Sequence, residues 1–119
     1  KRAIGTEIDQ QSVYVANENA AKNNVANRFK TYLVTGGAGQ IVQTTAPFDL
    51  VFANILARPL IGLSQDITHL TARSGHIILS GLLNHQEPLV RAAYSGRGLT
   101  LVKRVQRDGW STLVFRKPA

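Results

Sequence analysis

The chain has 119 residues, 44% of them apolar, and a net charge of +7 with only seven acidic side chains. That length is one domain's worth, enough to bury about two-thirds of the surface that the unfolded chain exposes. It contains no cysteine, which excludes disulfides and thiolate metal sites. In chain order, Ala3 to Ile8 is a short apolar-rich run that reads as a strand and ends among acidic residues. Asp9 is a good N-cap. Beyond it Val13, Ala16 and Ala20 recur at helical spacing, with Glu18 and Lys22 four apart on the other face. Asn23-Asn24 ends that helix. Phe29 to Thr35 alternates and is β-branched, a second strand. Residues 36–47 form a polar, glycine-rich loop.

Phe48 to Ala53 is apolar on both faces and predicts an interior strand. Pro59 suits a first helical turn, and Leu60, Leu63, Ile67 and Leu70 give that helix one apolar stripe. Ser74-Gly75 turns the chain into a fourth strand, His76 to Ser80. Asn84 caps a further helix with Leu89, Ala92 and Ala93 facing inward, stopped by Gly96 and Gly98. Leu99 to Val105 and Trp110 to Arg116 are two strands joined through Arg107-Asp108-Gly109, since Asp-Gly is a strong hairpin signal. Strands alternating with helices predict a mostly parallel, three-layer α/β sheet, closed by an antiparallel C-terminal hairpin. Trp110 is expected in the core or as a cover over the sheet.

Open α/β sheets build ligand sites at the carboxyl ends of their strands. Glu7 stands at such an end, where a carboxylate can accept both hydroxyls of an adenosine ribose; the plain alternative is a solvated strand-end charge. Asn54 stands at another, with a helix N-cap or turn role as its alternative. Gly36-Gly37-Ala38-Gly39-Gln40 is neither GxGxxG nor a P-loop and reads as a flexible loop. Ser80-Gly81, His85 and Gln86 are weaker candidates, which turn chemistry or a helix start explains equally well. His69, His76 and His85 have no ligand spacing, so no metal is expected. No apolar run approaches the ~20 residues of a bilayer span and no signal peptide is visible, so a cytoplasmic protein without a membrane partner is expected. The basic excess favours an anionic partner such as RNA or a ribosomal surface. Lys103, Arg104, Arg107, Arg116 and Lys117 concentrate it at the closing hairpin.

The runs FDLVFANILA (Phe48 to Ala57) and SGHIILSGLLNHQ (Ser74 to Gln86) resemble the strand-four and strand-five region of the class I methyltransferases that use S-adenosylmethionine. They are most similar to the bacterial ribosomal-protein methyltransferases of the PrmA type. The closing hairpin extends the resemblance over all 119 residues: in this family the final strand inserts antiparallel beside strand five. The resemblance implies a Rossmann-like sheet and S-adenosylmethionine as cofactor. It implies methyl transfer to amino nitrogens, lysine side chains and an α-amine, of a large-subunit ribosomal protein. Glu7 then matches the ribose ligand, Ile8 lies against the adenine, and Asn54 accepts hydrogen bonds from the target amine. Where many amino-group methyltransferases follow this Asn with two prolines and an aromatic, the chain has Ile55-Leu56-Ala57, the PrmA-type variant. The acidic residue that often contacts the adenine after the second strand is missing.

The family's first strand and its glycine-rich loop are not found within 1–119. The chain, without Met and opening inside a strand, therefore reads as part of a catalytic domain. Alone it is expected to bind the cofactor weakly and to be inactive. Glu7 and Asn54 are expected to face one crevice. Two other readings stay open. An NAD-type dinucleotide oxidoreductase fragment is favoured by Glu7 and disfavoured by the hairpin and Asn54. A non-catalytic RNA- or ribosome-binding module is favoured by the charge.

Overall fold

A computed structural model describes residues 3–7, 29–33 and 47–119. The predicted helix after Asp9 and the loop at 36–46 lie outside them. The chain divides into two compact units, Lys1–Thr44 and Thr45–Ala119.

In the first unit, β1 (Ala3–Glu7) pairs in parallel with β2 (Phe29–Leu33), in register from Ala3 with Phe29 to Glu7 with Leu33.

The second unit runs β3 (Phe48–Asn54), α1 (Ala57–Gly62), α2 (Ser64–Leu70), β4 (Thr71–Leu83), a 3₁₀ turn (Asn84–Gln86), α3 (Glu87–Ser95), β5 (Thr100–Arg107) and β6 (Trp110–Arg116). Its sheet has the order β3-β4-β6-β5. β3 and β4 are parallel, as strands joined by helices must be. β6 inserts antiparallel between β4 and β5, as the hairpin predicted. The turn is made by Asp108 and Gly109, both left-handed at φ 53° and 83°, the geometry that two-residue hairpins favour.

One face of this sheet is dry. Ile77 and Leu79 of β4 and Leu113 and Phe115 of β6 are fully buried, and Val51 and Ala53 of β3 join them. The helices cover that face with Leu60 from α1, Ile67 from α2, and Val90 and Tyr94 from α3. The Tyr94 ring stacks on Phe115 with centroids 5.8 Å apart. Its hydroxyl donates to the Leu60 carbonyl at 2.8 Å, which satisfies the polar end of a buried ring. Burial pushes the Tyr94 hydroxyl pKa well above the ordinary phenol range.

Four expectations are corrected. β3 is not interior among the described residues: it pairs only with β4, and Leu50 and Phe52 on its other face are 57% and 64% exposed. The single predicted helix is two, because Leu63 leaves helical geometry at φ −92°, ψ 4°; the stripe survives, with Leu60, Ile67 and Leu70 buried. β4 starts at Thr71, which pairs with Phe48, rather than at His76; the expected turn is kept as a kink, with Ser74 at φ 64° and a register shift against β3. The inward face of α3 is Glu87, Val90 and Tyr94, with Ala93 packed against the core as expected, while Leu89 is 69% exposed and Ala92 is exposed too. Hydropathy alone points Leu89 inward; the Tyr94 anchor and the pairing of the buried Glu87 with the half-exposed Arg104 hold the helix the other way.

Lys117 closes α2. Its Nζ donates to the Thr68 and Thr71 carbonyls, 2.9 Å each, where a cation complements the negative end of the helix. The Lys117→Met variant keeps the aliphatic stem and is expected to lose about 1 kcal/mol of stability. In a thermal melt that reads as ~4 °C.

Candidate functional site

Two of the predicted site residues close parallel strands. Glu7 is the last residue of β1, in the first unit. Asn54 is the last residue of β3, in the second. Ile8 lies outside the described residues.

Asn54 is exposed and forms the last rung of β3 with β4, opposite Ser80, while β4 itself runs on to Leu83. Its alternative role as a helix N-cap is overturned: the N-cap of α1 is Leu56, two residues on, and it makes no side-chain cap bond. The Asn54 carboxamide is therefore not spent on starting the helix. Gly81 follows Ser80 with φ 80° and brings the exit of β4 against the Asn54 side chain. Structure thus joins Asn54 and Ser80-Gly81, which are far apart in sequence.

The turn after Gly81 is held from behind. Gln86 Oε1 accepts from the Leu83 N–H at 2.9 Å. Asn84, expected as a helix cap, makes no cap bond; its Oδ1 accepts from Ser111 Oγ at 2.7 Å, and its N–H donates to the Gly109 carbonyl at 3.0 Å. His85 is exposed. Trp110 is 53% exposed, so it is neither core nor a closed cover. A groove of about 330 Å³ lies where α1 and α3 begin, lined by Ala57, Arg58, Ile61, Gln86 and Leu89.

The basic residues of the hairpin are partly committed within the chain. Arg104 Nε lies 2.8 Å from each oxygen of the buried Glu87 carboxylate. Lys117 holds α2, and Arg116 Nη2 reaches Ser74 Oγ at 3.4 Å. Lys103 and Arg107 are exposed. Among the described residues there is no cluster of three or more His, Cys, Asp or Glu side chains able to hold a metal, and no helix long and apolar enough to cross a membrane.

Residues 1–118 match the family model described as ribosomal protein L11 methyltransferase (PrmA). The chain belongs to that family. The ribosomal protein L11 methyltransferase of Caulobacter sp. (strain K31) is 48% identical over 116 residues, covering 98% of the chain and 40% of the relative. The chain thus spans about two-fifths of the length of such curated relatives. Among solved structures, the ribosomal protein L11 methylase of Lactobacillus delbrueckii subsp. bulgaricus superposes with a TM-score of 0.88 at 25% identity, over the whole chain and 59% of that protein. An RNA methyltransferase from Salinibacter ruber, in complex with S-adenosyl-L-homocysteine, shares the fold at 17% identity, with a TM-score of 0.68 over 98% of the chain and 66% of that protein.

In this PrmA-family chain, sequence reasoning missed the polar cluster that braces the Asn84–Gln86 turn. Gln106 Nε2 lies 3.4 Å from Glu87 Oε1 and 3.5 Å from Ser111 Oγ, linking Arg104, Glu87, Gln106, Ser111 and Asn84. Its members come from four elements, and no local pattern announces them. Burial works against ionisation of Glu87, but the Arg104 guanidinium and the Ser111 and Gln106 donors outweigh it and hold its pKa below the usual glutamate value. A carboxyl whose folded pKa is lowered adds stability above its unfolded pKa, and that stability is lost as pH falls through the folded value. Melting temperature is therefore expected to fall as pH drops below the ordinary glutamate range, about 4.3, and through the lowered folded value, with a smaller fall in Glu87→Gln.

Proposed function

We propose that the full-length protein carrying this chain transfers methyl groups from S-adenosylmethionine to amino nitrogens of a large-subunit ribosomal protein, namely lysine side chains and an α-amine. The observation that carries this reading is Asn54. It is an exposed carboxamide at the carboxyl end of a parallel strand, not used as a helix cap, in a chain of the PrmA family. The antiparallel β6 between β4 and β5 favours the same reading over a dinucleotide oxidoreductase. A ribosomal-protein substrate implies a cytoplasmic site of action and closeness to ribosomal RNA.

An adenosyl cofactor suits the described residues on two counts. Glu7 ends a strand that is parallel to its neighbour, the position from which a carboxylate can accept ribose hydroxyls. The rim of β3 and β4 bears a carbonyl acceptor beside a residue that lacks a Cβ. The cofactor, when bound, supplies an electrophilic methyl on a sulfonium. The chain's own work is to hold and aim. Glu7 would hold the ribose, and Ile8 would lie against the adenine. Asn54 Oδ1, with a neighbouring backbone carbonyl, would accept N–H bonds from the incoming amine and point its lone pair outward. A neutral amine is already a nucleophile, so positioning supplies most of the gain. Neither paired carboxylates nor an activated hydroxyl is required.

In the full-length protein, Asn54→Ala is expected to lower turnover of labelled methyl transfer to ribosomal protein L11 by about 100-fold, with affinity for S-adenosylhomocysteine little changed. Unchanged turnover would remove Asn54 from the reaction. Glu7→Ala should do the opposite in calorimetry. Losing a charged acceptor weakens S-adenosylhomocysteine binding by about 10-fold or more, and binding at wild-type strength would mean that Glu7 does not hold the ribose.

A further inference from the structure

Three glycines of the second unit have a positive φ: Gly81, Gly98 and Gly109, at 80°, 85° and 83°. An L side chain at any of them is strained by about 1–2 kcal/mol. Their surroundings differ. A Cβ on Gly98 or Gly109 would meet nothing within 4 Å. A Cβ on Gly81 would fall 2.5 Å from Asn54 Oδ1, 3.7 Å from Asn54 Cγ and 3.5 Å from the Ile55 carbonyl oxygen. Real Cβ atoms do not approach an oxygen at 2.5 Å, so one of the two groups would have to move.

The cause is register. Asn54 pairs with Ser80 across parallel strands, so the residue after Ser80 turns across the end of β3. The atom it approaches is the oxygen that the proposed function uses. Turn geometry alone explains the glycines at 98 and 109. At 81 there is a second constraint, and it is aimed at one side-chain atom.

We propose, on the basis of the Asn54 role set out above, that Gly81 is a positioning residue for amine recognition. The missing Cβ leaves the volume that Asn54 Oδ1 fills, and the backbone at Gly81 walls the carboxamide on that side. The carbonyl oxygen is thereby held in one direction, and the nitrogen that donates to it is held with it. A larger residue at 81 swings the oxygen away and misaligns the acceptor nitrogen without touching the nucleoside end of the cofactor. A misplacement of about 1 Å is enough to cost ~100-fold in a positioning reaction.

The test uses the full-length protein, with labelled methyl transfer from S-adenosylmethionine to ribosomal protein L11 as readout. Gly81→Ala is compared with Gly98→Ala, which also has a positive φ but no collision. Both should lose similar stability. Only Gly81→Ala should lower kcat, by about 10-fold or more, with KM for S-adenosylmethionine held within about 2-fold. Gly81→Asn is the second variant, because Asn tolerates left-handed geometry while still carrying a Cβ; it should be better folded than Gly81→Ala and equally slow. In the Asn54→Ala background, Gly81→Ala should cost nothing further, since residues that act through one another are non-additive. Equal kcat in the Gly81 and Gly98 variants, or a Gly81 effect that persists without Asn54, overturns the positioning role while leaving Asn54 in place. Wild-type turnover in Asn54→Ala alone overturns the underlying reading, and the role of Gly81 with it.

Discussion

The parallel register of β3 and β4 is the constraint on which the site depends. Because Asn54 and Ser80 form the last rung of β3 with β4, Gly81, the next residue of β4, arrives against Asn54. A slip of one residue would turn every side chain of β3 to the opposite face. Val51 and Ala53 would leave the core, and Asn54 would leave the rim. The core forbids that slip: Val51 and Ala53 pack against the cluster that Ile77, Leu79, Leu113 and Phe115 build on the same face.

The helical layer fixes the same edge from a different direction. Tyr94 ties α3 to α1 through the Leu60 carbonyl and to β6 through Phe115. Both α1 and α3 begin at the rim, just after Asn54 and after the turn that follows Gly81. The hairpin contributes more than sheet edge. Ser111 and Gly109 hold Asn84, and Arg104 and Gln106 hold Glu87, so the turn beside the site is anchored to β5 and β6. Part of the chain's positive charge is thereby structural. Arg104 neutralises a buried carboxylate and Lys117 closes a helix, and neither is then free to act as a dedicated nucleic-acid contact.

Such a scaffold suits chemistry that needs aim more than acid or base. An exposed carboxamide is a poor proton carrier and a good directional acceptor. Its value depends on orientation, and orientation depends on the backbone that surrounds it. The apolar groove at the starts of α1 and α3, and the exposed Leu50 and Phe52 of β3, leave apolar surface of the second unit exposed.

By itself the sequence determined the alternation of strands and helices, the Asp108-Gly109 turn, the antiparallel closing hairpin and the family. These are local signals: periodicity, turn residues and runs such as FDLVFANILA, each readable within about ten residues. It also determined that Glu7 and Asn54 end strands, because apolar runs stop there. Only the tertiary structure decided that Leu89 faces out and Glu87 in, that one apolar stripe is carried by two helices, and that Asn54 caps nothing. It alone brought Gly81 to the Asn54 oxygen and gathered Arg104, Glu87, Gln106, Ser111 and Asn84 into one cluster. The physical reason is the same each time. Burial and hydrogen bonding are settled largely between residues far apart in the chain, 17 positions for Arg104 and Glu87 and 34 for Tyr94 and Leu60, a range over which no local pattern carries information.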